Sequence, residues 1–120
     1  VAIQLDTVFT WVTDLETSLP WYQNLGLDPG ARHGPWQEMV VAGQTRFALH
    51  QGSRPAGAST TVPSFQVADL ESEIDRLAGL GIYPLEGGVT DTGAARFITY
   101  VDPDRNEVQL LERPGQDGPP

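Results

Sequence analysis

The stretch Val12-Thr13-Asp14-Leu15-Glu16 returns as Val67-Ala68-Asp69-Leu70-Glu71, fifty-five residues further along the chain. Continued without a gap, Leu19 meets Ile74, Leu25 meets Leu80, Gly26 meets Gly81 and Leu27 meets Ile82, and six of the sixteen aligned positions are identical. Order, turn glycine and apolar spacing are kept together, so the chain carries two copies of one supersecondary unit. Two copies of this length describe a pseudo-twofold domain and not a solenoid.

Each copy has the same local logic. Leu5 to Val12 is rich in Thr, Val and aromatic residues and reads as a strand ended by Thr13-Asp14. A helix follows; Pro20 is expected in its first turn, which puts the start near Thr17 or Ser18, and Gly26 ends it. In the second copy Asp69 is the N-cap, Leu70, Ile74 and Leu77 share one face, and Gly81 supplies the left-handed end. Strand-like runs come next: Trp36 to Ala42 and Thr45 to His50, then Tyr83 to Gly87, Arg96 to Val101 and Glu107 to Leu111. The expected order is strand, helix and three strands per copy. The first module occupies about 5–51, the linker 52–61 and the second module about 62–112, within one domain over 1–113; the Gly/Pro-rich 114–120 reads as a disordered tail.

Composition sets bounds on function. The 120 residues hold no cysteine and 16 acidic against 7 basic side chains, a formal charge of −9, and every cation is an arginine. Without cysteine there is no disulfide framework, thiolate zinc site or cysteine nucleophile. The arginines are scattered from Arg32 to Arg113, which speaks against a nucleic-acid partner, and a cationic partner suits the field better. No apolar run is long enough for a membrane span, and Val1 to Asp6 lacks the basic start of a secretory signal, so a cytoplasmic location is expected. No Gly-x-Ser-x-Gly elbow, phosphate loop or lysine is present for nucleophilic, phosphate or Schiff-base chemistry.

The run Tyr100-Val101-Asp102-Pro103-Asp104-Arg105-Asn106-Glu107-Val108-Gln109-Leu110 forms a tight turn, with Asn106 expected in the left-handed conformation, leading into the last strand. It resembles the aromatic-x-Asp-Pro-Asp-Gly-Asn-x-apolar-Glu-Leu signature of the vicinal oxygen chelate superfamily: glyoxalase I, extradiol dioxygenases, fosfomycin-modifying enzymes and bleomycin-resistance proteins. Val12 to Glu16, Trp21-Tyr22 and Leu25-Gly26-Leu27 resemble the family's first strand and helix. The resemblance implies an α+β fold, two tandem βαβββ modules forming a cleft-shaped mixed sheet with helices outside, and a homodimer. It also maps the four metal-ligand positions of the family's enzymes onto Thr7, Ala48, Val62 and Gln109. Those side chains do not make a metal site, so the expectation is no metal and no cofactor.

If Thr7 faces the cleft, period-two alternation puts Phe9 and Trp11 there and turns Val8, Thr10 and Val12 toward the helices. By the same parity Ser64 and Gln66 flank the cleft with Gln109 and Glu107, while Trp36 and Glu38 close a rim. His50 shares parity with Ala48 and is expected at the ligand or at a dimer edge; His33 is expected on the surface, in the loop from Pro29 to Pro35. The expected function is sequestration of an aromatic antibiotic or natural product, cationic or neutral, of bleomycin, mitomycin or enediyne type, with Thr7, Phe9, Trp11, Trp36, Glu38, His50, Ser64, Gln66, Glu107 and Gln109 as contacts. The alternative is a superfamily lyase, isomerase or dioxygenase with non-standard metal ligands or none.

Overall fold

In the computed structural model, which describes residues 7–53, 62–93 and 95–115, the element order is β1 (Val8–Val12), α1 (Leu15–Leu25), β2 (Asp28–His33), β3 (Trp36–Val41), β4 (Gln44–Gln51), β5 (Ser64–Gln66), α2 (Leu70–Gly79), β6 (Thr90–Asp91), β7 (Arg96–Val101) and β8 (Glu107–Glu112). This is βαβββ twice over. The two sheets have the same order, β1-β4-β3-β2 and β5-β8-β7-β6. In each, the first strand runs parallel to the last, and the remaining neighbours are antiparallel. The chain divides into two compact units, Val1–Ser59 and Thr60–Pro120.

The repeat motif builds the helix starts. Asp14 accepts a hydrogen bond from the Glu16 N–H and one from the Thr17 hydroxyl, and Asp69 does the same with the N–H and hydroxyl of Ser72. The Ser72 contacts hold the Asp69 carboxyl below its ordinary pKa. A second device reaches across each module: the Leu15 N–H donates to Gln51 Oε1 and the Leu70 N–H to Glu112 Oε1, both at 2.9 Å. The last residue of each final strand thus satisfies the first free N–H of its module's helix. Both helices close with Leu27 N–H to Tyr22 O and Ile82 N–H to Leu77 O, around the positive-φ residues Gly26 and Gly81.

One face of each sheet packs on its own helix. In the first unit Thr10, Val12, Gln37, Met39, Phe47 and Leu49 are buried with Leu15, Ser18, Tyr22 and Leu25 of α1, and the Tyr22 and Phe47 rings lie 5.6 Å apart. In the second, Ile98, Tyr100, Val108 and Leu110 are buried with Leu70 and Leu77 of α2.

Several sequence expectations are corrected. Helix α1 begins at Leu15, not at Thr17 or Ser18, and takes Pro20 inside it. The Asp14 cap sets the start. Pro20 is exposed and gives up one hydrogen bond close to the N-terminus, on the side where water reaches the freed carbonyl. Most of the loop expected from Pro29 to Pro35 belongs to the strand Asp28–His33, which has a register shift between Pro29 and Arg32, where the buried Gln37 amide donates to the Gly30 carbonyl. Tyr83 to Gly87 is not a strand: Pro84 has no N–H to give, Gly87 and Gly88 turn the chain at positive φ, and the ladder is reduced to one bond from Leu85 N–H to Thr99 O plus the short β6. The left-handed residue before β8 is Arg105 (φ 68°) and not Asn106, whose side chain is occupied in a bond to Asp102. Leu5, Asp6, most of the linker, and 116–120 of the expected tail lie outside the described residues. No helix among the described residues is long and apolar enough to cross a membrane.

Candidate functional site

The face of the first sheet turned away from α1 is a grid that the strand register fixes. One row runs Phe9, Ala48, Glu38 across β1, β4 and β3; the next runs Trp11, His50, Trp36 and continues to His33 on β2. His50 and Ala48 therefore share this face, as their common parity requires. The two rows put five ring side chains on one sheet.

Four of them form a connected cluster. Trp11 and His50 are stacked, with centroids 4.3 Å apart and planes 23° from parallel. Phe9 touches Trp11 at 5.5 Å, Trp36 at 5.3 Å and His50 at 5.7 Å, and Trp36 meets His50 at 5.4 Å. Phe9 is the outermost ring and keeps 40% of its surface exposed. Trp11 also leans on Gly52, where an added Cβ would stand 3.0 Å from its Cζ3. At the margin, His33 Nε2 lies 3.9 Å from the Glu38 carboxylate. His50 Nδ1 is buried with no hydrogen-bond partner.

The equivalent face of the second sheet carries different chemistry on the same grid. Its rows are Ser64, Gln109, Thr99 and Gln66, Leu111, Phe97, the second continuing to Thr90 on β6. The Ser64 hydroxyl donates to Gln109 Oε1 at 2.9 Å, and Gln109 Nε2 reaches Thr99 Oγ1 at 3.5 Å. Glu107 is exposed and pairs with Val101 at the start of β8. Thr99 was missed by sequence reasoning, although its parity with Phe97 and Val101 on β7 could have located it. Thr7 and Val62 lie just ahead of β1 and β5, outside the ladders.

The resemblance named above brings a divalent ion to these faces in the family's enzymes, and the donor set does not fit one. Ala48 and Val62 have no donor atom, Thr7 offers a neutral hydroxyl, and the Gln109 amide oxygen is already bonded to Ser64. Among the described residues no three His, Asp or Glu side chains converge.

The sequence matches the model of the Glyoxalase/Bleomycin resistance protein/Dioxygenase superfamily over residues 4–110. The chain belongs to that superfamily. Its fold is shared by a protein of unknown function from Agrobacterium tumefaciens str. C58 (TM-score 0.74, 20% identity, 93% of this chain and 95% of that one). It is shared too by the fosfomycin resistance protein FosX from Listeria monocytogenes (0.69, 17%, 93% and 94%) and by the oxidase ChaP-H2 (0.69, 19%, 98% and 100%). No curated protein gives a significant match. The superfamily spans binding proteins and enzymes, so the two faces themselves have to carry the functional argument.

Proposed function

We propose that the protein is a metal-independent binder that sequesters an aromatic natural product or antibiotic carrying a cationic group, as a cytoplasmic homodimer without a cofactor. The observation that carries this reading is the cluster of Phe9, Trp11, Trp36 and His50 on the sheet face opposite α1. Aromatic pairs contribute about 0.5–1.5 kcal/mol each beyond area burial, so a planar ligand laid on such a surface gains from several rings at once. Glu38 beside the rings and the net charge of −9 favour a cation there.

Trp11 and Trp36 are in the cluster, which makes intrinsic fluorescence the natural test. Titration with bleomycin-, mitomycin- and enediyne-type compounds is expected to quench the emission with at least one of them. Trp11→Phe with Trp36→Phe should remove most of that signal, leaving Trp21 of α1. No quenching with any compound, at concentrations where sedimentation shows dimers, would sink the reading. The enzymatic alternative draws support from His50, an imidazole that no protein group engages through Nδ1. Elemental analysis of the purified protein separates the two: a stoichiometric, tightly held divalent ion favours the enzyme.

A further inference from the structure

We infer that His50 is the polar anchor of the aromatic face, and that the face selects planar aromatic ligands bearing a hydrogen-bond donor, a phenolic O–H or a ring N–H, directed at His50 Nδ1. This rests on the reading that the ring cluster binds an aromatic ligand. Nδ1 is buried and receives no hydrogen bond, and the ring is held between carbon surfaces: Trp11 stacked at 4.3 Å on one side, Phe9 and Trp36 approaching at 5.7 and 5.4 Å. A buried polar atom without a partner is a standing cost in the free protein that a ligand can relieve. Of the two ring nitrogens only Nδ1 is buried in this way. A neutral imidazole carries one N–H and one lone pair. The proton is better placed on the other nitrogen, which leaves a lone pair at Nδ1 and makes it an acceptor.

Phe9 and Ala48 have no donor, the Glu38 carboxylate in the adjacent row is acceptor-only when ionised, and neither the Trp11 nor the Trp36 indole N–H donates to Nδ1. Phe9, whose ring approaches His50 at 5.7 Å, keeps 40% of its surface exposed. In the second module the equivalent position is Leu111, so the anchor belongs to one face alone.

A matched pair of probes tests this: 2-naphthol, and 2-methoxynaphthalene in which the donor is blocked, titrated by calorimetry into the full chain. Wild type is expected to prefer 2-naphthol by roughly tenfold, the size of one hydrogen bond to a buried partner. His50→Phe should bind both with equal affinity. His50→Asn, which keeps a polar atom close to the Nδ1 position, should retain about a threefold preference. The 15N resonance of Nδ1 in the wild type should move toward its hydrogen-bonded value with 2-naphthol and stay put with the ether, a readout that does not depend on any variant folding. Equal binding of the two probes by wild type, or a preference that survives in His50→Phe, overturns the anchor and leaves aromatic binding standing. Failure of both probes to bind overturns the anchor and the aromatic reading together.

Discussion

The two modules lay the same strand order and register on the sheet faces turned away from their helices and fill the grid in opposite ways. Where the first has Phe9, Ala48 and Glu38, the second has Ser64, Gln109 and Thr99; where the first has Trp11, His50 and Trp36, the second has Gln66, Leu111 and Phe97. On the helix side the same comparison gives matching solutions, with Asp14 and Asp69 capping the helices and Gln51 and Glu112 bracing them from the last strand. The backbone devices are duplicated and the side chains on the faces turned away from the helices are not.

The largest expected break in the comparison is in the hairpins that join the last two strands. The first module turns through Ala42 and Gly43, both at positive φ, with no side-chain support needed. The second turns through Asp102 to Asn106, where the buried Asp102 carboxylate accepts from the N–H groups of Asp104 and Asn106 and from the Asn106 amide. Asp102→Ala removes the acceptor of all three bonds, two of them from the buried Asn106, and should cost about 3 kcal/mol, roughly a 10 °C fall in thermal midpoint. Gly43→Ala, which meets nothing within 4 Å but must hold φ +78°, should cost about 1 kcal/mol. Equal losses in the two variants would mean that the Asp102 network adds little.

The residue just past each final strand gives a smaller test. Gly52 holds φ +157° and lies under the Trp11 indole, whereas its counterpart Arg113 is exposed. Gly52→Ala should cost about 2 kcal/mol and alter the near-ultraviolet circular dichroism of the Trp11–His50 stack. Arg113→Ala should stay within about 0.5 kcal/mol of wild type. An unchanged aromatic spectrum in Gly52→Ala would show that Trp11 is free to move off the glycine.

Most of the fold was legible because its signals are local. Asp69 announces the start of the second helix, Gly26 and Gly81 the ends, and the Asp-Pro-Asp turn the last strand; the start of the first helix was misplaced because Pro20 was allowed only in a first turn. Strand parity paired Phe9 with Trp11 and Trp36 with Glu38, and the ladder register then brings these strands and His50 to one face. What failed was set by distant contacts. Asp28–His33 has no apolar alternation and contains Pro and Gly, and it is a strand only because β3 pairs with it and Gln37 satisfies its bulge. Tyr83 to Gly87 has strand-like composition and is denied a ladder by Pro84 and two turning glycines. Thr99 shows itself only in the bond from Gln109, and the orphaned Nδ1 of His50 depends on three rings from two other strands.

The smallest expected effect lies on the helix-facing side, where the register makes Tyr100 of the second module the counterpart of Met39 in the first, each buried on the side of its sheet that packs on its own helix. Methionine fills its space without a polar atom. The Tyr100 hydroxyl is buried with no hydrogen-bond partner, and burial pushes its pKa up, with Glu73 adding to the rise and Arg76 opposing it. Tyr100→Phe removes a desolvated hydroxyl and keeps the ring, so it should stabilise the protein by about 1 kcal/mol where most core substitutions destabilise. The pH dependence has a definite sign. A folded-state pKa above the ordinary phenol value near 10 means that the unfolded chain loses this proton first, so the stability contributed by the neutral phenol is complete below pH ~10 and falls as the pH rises. Denaturant midpoints measured from pH 8 to 11 should therefore decline less in Tyr100→Phe than in wild type. A destabilised Phe variant would mean that the hydroxyl has a partner after all, and that the two modules differ less in their cores than on the faces turned away from their helices.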